Sequence, residues 1–122
     1  MELCIFCKPD REILAQDRHA IAIYDGYPVS KGHTLVLPRR HLISIWDLEA
    51  EEYAACFDLV RTVRAMLESL FSPDGFNIGV NCGEAAGQTV PHAHIHLIPR
   101  FRGDVPKPRG GVRNVIPHKG HY

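Results

Sequence analysis

Pro91-His92-Ala93-His94-Ile95-His96-Leu97-Ile98 is the stretch on which the reading of this chain turns. Side chains alternate across a β-strand, so Ala93, Ile95 and Leu97 share one face and His92, His94 and His96 the other. The apolar face needs something to cover it. Upstream, Asn81 to Gln88 is a Gly-rich loop, and Phe76-Asn77-Ile78-Gly79-Val80 alternates as a second strand. Between Asp47 and Phe71 the period changes, and Cys56, Val60, Val63, Leu67 and Leu70 recur at steps of three and four. That predicts one helix with an apolar stripe, capped by Asp47, favoured by Glu49, Glu51 and Glu52 at its positive end, and ended by Ser72-Pro73-Asp74-Gly75. His33 to Leu37, stopped by Pro38, and Ala20 to Tyr24, closed by Asp25-Gly26-Tyr27-Pro28, read as two further strands. Strands, one long helix and strands again predict an α+β domain with an antiparallel sheet.

The chain has 122 residues, 45% hydrophobic and 23% charged, enough for a single core and unlike disordered or collagenous sequences. No apolar run approaches a bilayer span of about 20 residues, so no membrane segment is expected. The opening Met1-Glu2-Leu3-Cys4-Ile5-Phe6-Cys7 is acidic and too short for a secretory leader, which points to a reducing cytoplasm. There a C-x-x-C reads as metal or redox chemistry. Net charge is zero, yet six Lys/Arg face a single acid from Arg100 onward. This basic tail, rich in Pro and Gly, is expected to be extended, with Arg109 and Arg113 the cations that would show whether it reaches bound phosphates. A nucleic-acid binder would carry a broader basic face, so none is expected.

Three imidazoles in register suit two chemistries. One is metal binding, since H-x-H can grip zinc from a strand. The other is nucleophilic attack on phosphorus: an imidazole whose one nitrogen donates a hydrogen bond keeps a free lone pair on the other. Leu97-Ile98-Pro99 supplies no acidic ligand after the triplet, which disfavours a metallo-hydrolase. Gly83, Gly87, Gln88 and Thr89 offer amide and hydroxyl donors suited to phosphate. Asp25 is a carboxylate able to accept both hydroxyls of a ribose. Cys56 reads as core, Cys82 as a loop thiol, and Trp46 as packing at the helix entrance.

Gly87-Gln88-Thr89-Val90-Pro91-His92-Ala93-His94-Ile95-His96-Leu97-Ile98-Pro99-Arg100 resembles the signature of the histidine-triad (HIT) family. Lys31 to His41 resembles that family's other recurrent strand, and Cys4-Ile5-Phe6-Cys7 the opening of many microbial members. The resemblance implies a sheet of about five strands with one long helix and a short N-terminal helix. The whole chain, 1–122, would be one such domain with residues 100–122 as its tail. It implies His94 as nucleophile, forming a nucleotidyl-histidine that water hydrolyses, with His96 on phosphate and leaving group and His33 in support. Thr89, Asn81 and Gln88 would lie by the phosphate, Asp25 on the ribose, and Ile5, Phe6, Ile23 and Tyr24 around a purine base. It further implies a homodimer.

The substrate signals are mixed. Leu97-Ile98-Pro99-Arg100 and the basic tail resemble the dinucleoside-polyphosphate branch, whereas Asn81 and Ile5-Phe6 look more like the branch that cleaves AMP-amine phosphoramidates. A nucleotide-binding module without turnover is a further alternative. Cys4 and Cys7 have ligand spacing for zinc, and the resemblance adds His41 and His92 to complete a structural Cys₂His₂ site. No catalytic metal is then required.

Overall fold

The computed structural model describes residues 4–122. The leader reading of Met1 to Leu3 lies outside the described residues. Five strands, β1 (Ile13–Gln16), β2 (Ala20–Tyr24), β3 (Thr34–Pro38), β4 (Gly75–Gly79) and β5 (Ile95–Arg100), form one antiparallel sheet in the order β1-β2-β3-β5-β4. One long helix, α1 (Ala50–Phe71), crosses one face. The α+β class, the five-stranded sheet and the single long helix agree with the expectation.

The sheet is apolar on both sides, which explains the unbroken hydrophobic run of β2. Ala20, Ala22, Val36, Ile95 and Leu97 pack beneath Cys56, Leu59, Val60, Val63 and Leu67 of α1. Ile21, Ile23, Leu35 and Leu37 point the other way and are covered by Phe6. Register fixes the parity: Ile23 pairs with Leu35, Leu35 with His96, and His96 with Gly79, so His96 sits mid-sheet on the face away from the helix. Fully burying each large aliphatic side chain contributes about 2 kcal/mol, so neither face is dispensable.

Several sequence expectations shift. No N-terminal helix forms over residues 4–12; Cys4 to Cys7 is a single turn closed by the Cys7 N–H on the Cys4 carbonyl at 3.2 Å, and Pro9 follows. The cap of α1 is Glu49 rather than Asp47. Ser44 first accepts from the Trp46 N–H and opens a separate short turn over Ile45–Asp47, and the Glu49 N–H then donates to Glu52 at 2.8 Å. Trp46 is 73% exposed and packs little. Leu70 is exposed as well. A helix of 22 residues is about 33 Å long, while the five-residue strands span roughly 17 Å, so its last turn overhangs the sheet. Phe71 turns back instead, over Gly32, whose φ of +87° and lack of Cβ are both required because a Cβ would lie 2.8 Å from the Phe71 ring.

The ladder of β5 begins at Ile95, not Pro91, because the Ala93 N–H leaves the sheet to donate to the Leu42 carbonyl at 2.7 Å. β1 gave no readable signal, being a four-residue edge strand with a bulge between Ile13 and Ala15. The tail is not extended: it makes a short helical turn over Gly111–Val115 against β4 and closes on itself, with Arg113 Nε donating to the Gly120 carbonyl at 3.1 Å. Arg109 and Arg113 both lie over the Tyr122 ring, 4.5 and 4.8 Å from its centroid.

Candidate active site

The three histidines form a row whose members have different partners. His94 Nδ1–H donates to the His92 carbonyl at 2.8 Å, a short-range bond that fixes the tautomer and leaves Nε2 with a free lone pair. Phe6 stands edge-on to the His94 ring with centroids 5.0 Å apart, holding it against the sheet. His94 is 9% exposed, so its free nitrogen is reached through the hollow it lines and not from bulk solvent.

His96 is oriented by a chain of hydrogen bonds. The Val29 N–H donates to His33 Nδ1 at 3.1 Å, so the neutral His33 carries its proton on Nε2. That nitrogen lies 2.9 Å from His96 Nδ1 and 3.4 Å from Asp25 Oδ2. His96 Nδ1 is therefore the acceptor and its proton sits on Nε2. This buried N–H has no partner among the described residues. An orphaned buried donor costs about 1–3 kcal/mol, and an incoming oxygen would recover it.

Burial lowers the pKa of His96 to about 4, aided by neighbouring His94 and His33 and opposed by Asp25. Burial also lowers His33, again against Asp25. Both imidazoles stay neutral in the fold at pH values where an unfolded imidazole, with its ordinary value of 6.5, takes up a proton. The unfolded chain then binds more protons, so stability rises with pH and is lost as pH falls through 6.5 toward 4. The melting temperature is expected to be lower near pH 5 than near pH 7, with a smaller drop in His96→Asn. A melting temperature that is flat or rises on acidification would contradict this arrangement.

A hollow of about 260 Å³ opens in front of this row. Ile5, Phe6, Asp25, Asn81, Thr89, His94 and His96 all line it. Three of the residues expected around the substrate do not, and His33 reaches the site only through His96. Ile23 is fully buried beneath Phe6, and Tyr24, one residue on, faces the helix side of the sheet. Gln88 is spent on the loop: its amide donates to the Ile43 and Val90 carbonyls at 2.7 and 3.1 Å, and its oxygen accepts the Gly83 N–H at 3.0 Å. It pins the Gly-rich loop rather than facing phosphate.

Gly87 lines the hollow too, and Leu35, Val90, Tyr27 and Arg11 are lining residues that were not read from the sequence. Arg11 is the informative one. It donates to the Tyr24 carbonyl at 2.9 Å and rests over Gly26, where a Cβ would meet its guanidinium at 3.2 Å. The glycine in Asp25-Gly26-Tyr27 was the available signal, but only the fold reveals which side chain needs the space.

His92 belongs to a second cluster. Its Nε2–H donates to the Pro38 carbonyl at 2.8 Å, turning an unprotonated Nδ1 toward Cys4, Cys7 and His41. Cys4 Sγ, Cys7 Sγ and His41 Nδ1 lie 3.4, 3.6 and 3.2 Å from it, and Cys7 Sγ lies 3.2 Å from His41 Nδ1. Around a tetrahedral zinc, sulfur and nitrogen ligands stand about 3.5 Å apart and two nitrogens about 3.3 Å. The donor set, its spacing and the carbonyl behind His92 fit that ion. Arg40 holds the segment bearing His41 against α1 through a two-pronged bond to Glu52, at 2.7 and 3.1 Å.

The HIT domain family model matches residues 8–103. A HIT family protein from Bacillus anthracis is 40% identical with a TM-score of 0.78, the match covering 83% of this chain and 75% of that one. A zinc-bound histidine triad family protein from Mycobacterium smegmatis is 34% identical with a TM-score of 0.73, covering 83% and 77%. The asymmetrical bis(5'-nucleosyl)-tetraphosphatase of Schizosaccharomyces pombe is 44% identical over 93 residues, 76% of this chain and 51% of that protein. With the His92–His94–His96 row, the sheet-and-helix frame and these relatives in agreement, the chain belongs to the HIT family.

Proposed function

We propose that this protein is a nucleotide hydrolase that attacks the α-phosphorus of a dinucleoside polyphosphate through His94. The observation that carries the reading is the pairing of a free His94 Nε2 with an unpartnered His96 Nε2–H at one hollow. A nucleophile and a donor for the developing negative oxygen are the two groups that phosphoryl transfer needs. His94 Nε2 forms a bond to the α-phosphorus while the bond to the leaving phosphate oxygen breaks, and the His96 N–H stabilises that oxygen. Water then displaces the imidazole, the phosphorus–nitrogen bond breaks, and a nucleoside monophosphate leaves. Asn81 and Thr89 are assigned to the phosphate, Asp25 and Arg11 to the ribose end, and Ile5, Phe6, Leu35 and Val90 to a purine base. Imidazole supplies the nucleophile, so the mechanism asks for no catalytic metal.

The yeast tetraphosphatase among the relatives supports a polyphosphate leaving group. Hydrolysis of AMP-amine phosphoramidates is the second reading, favoured by Asn81 at the phosphate. A binding module without turnover has no use for the free imidazole. Cys4, Cys7, His41 and His92 would hold a structural zinc, in line with the zinc-bound mycobacterial relative. No described helix is long and apolar enough to cross a membrane. We assign the protein to the cytoplasm as a homodimer, with Phe57 and Leu70 of α1 and Ile78 of β4 as exposed apolar surface for the partner.

Two displacements at one phosphorus restore its configuration. A substrate with a chiral α-thiophosphate, hydrolysed in labelled water, is expected to give product with net retention. Net inversion would mean direct attack by water and would end the covalent reading.

A further inference from the structure

We propose that the groove running from His96 past Asn77 to Lys107 is a subsite for the leaving half of a dinucleoside polyphosphate, walled by residues 105–114 of the C-terminal segment. The inference rests on the hydrolase reading above and specifies where the second nucleotide lies. Three hollows adjoin. The His94 hollow shares Asn81 and His96 with one of about 340 Å³, which adds Asn77 and Val112. That one shares Val29, Asn77, Ile98 and Gly111 with a third of about 440 Å³, reaching Lys107 and Asn114.

Direction follows from the chemistry. In an in-line displacement the leaving oxygen departs opposite the attacking atom. His94 lines only the first hollow, whereas His96 lines the first and second. The second therefore lies on the leaving side.

The lining suits a nucleotide. Arg100 is bound to Asp104 at 2.7 and 2.8 Å, which cancels the one carboxylate that lines the second and third hollows among the described residues, and it donates to Asn77 Oδ1 at 2.6 Å. The Asn77 amide is thereby oriented, and its N–H donors meet no acceptor among the described residues. Lys107 is exposed and has no carboxylate within 4.0 Å among the described residues, so its ammonium is available to phosphate. Val112 and Ile98 offer an apolar floor for a base or ribose. An amine leaving group would use little of this surface. Residues 105–114 lie beyond the HIT domain match, which ends at 103, so this wall is built by the segment that follows the matched domain.

The test compares kcat/KM for diadenosine tetraphosphate with that for adenosine 5'-phosphoramidate, which share the adenylyl half and differ in the leaving group. The ratio of the two is expected to fall about fivefold in Lys107→Ala. It is expected to fall tenfold or more in Val112→Trp, where a ring at an exposed position occupies the groove. A ratio that holds within about twofold in both variants would overturn the subsite while leaving the hydrolase reading intact. Wild-type protein that turns over neither substrate would overturn both.

Discussion

His94→Ala is expected to lower turnover of diadenosine tetraphosphate by about 10⁴-fold or more while the protein keeps its fold and binds the nucleotide. The size of the effect follows from the role. Removing a covalent nucleophile deletes the reaction path itself, whereas removing one donor to a developing anion costs about 10²–10³-fold. His96→Asn should therefore fall short of His94→Ala by an order of magnitude or more. His94 is also placed so that its loss perturbs little else, because its one polar bond is to the adjacent His92 carbonyl. A companion variant, His33→Asn, removes the donor that sets the His96 tautomer without touching the reacting atoms. It is expected to reduce kcat more than it raises KM. Quenched-flow kinetics with equilibrium nucleotide binding checks all three, and near-normal turnover by His94→Ala would end the mechanism.

The second large effect is expected at the Cys4–Cys7–His41–His92 cluster. Purified protein should contain about one zinc per chain, and Cys7→Ser should lose it along with about 4 kcal/mol or more of stability. The hydrophobic sheet and helix would survive that loss better than the opening segment. Cys4 to Cys7 closes on itself through one backbone bond and packs on the sheet through Phe6, and Phe6 also backs the His94 ring. Activity is thus expected to fall with the metal even though the ion lies off the reaction path. Metal analysis and calorimetry on wild type and Cys7→Ser decide the matter, and metal-free wild type with an unchanged melting temperature in the variant would contradict it.

The residues that carried the reading were those whose meaning survives in one dimension. Alternation through Ala93-His94-Ile95-His96-Leu97 fixed which side of the chain each imidazole takes, and register with Leu35 and Gly79 only set the depth. The apolar run of β2 was legible as a strand but not as a surface, since both its faces are buried. The resemblance implies a pocket role for both Ile23 and Tyr24, and nothing in that run shows that they lie on opposite faces. Gln88 was misplaced for a related reason: a side-chain amide near a phosphate loop can face the ligand or its own backbone, and the carbonyls of Ile43 and Val90 settle that only in three dimensions.

The tail was the least legible segment. Its Pro and Gly content reads as loose chain, yet Gly110 allows the backbone to approach Gly120, and Tyr122 gathers Arg109 and Arg113. Two cations of the tail are thereby turned onto an aromatic ring, and Lys107 is left facing the groove. Arg11 was hidden in the opposite sense, since nothing near it in sequence marks its seat over Gly26.

The central claim is the covalent one, and it is open to direct observation. Wild-type protein mixed in slight excess with diadenosine tetraphosphate, stopped within one turnover and digested, should yield a peptide bearing an adenylyl group on His94. The adduct should be lost in His94→Ala and should accumulate in a variant slowed at the water step. A quenched wild-type sample that has released product yet carries no adenylyl group, or carries it on another residue, would contradict the account.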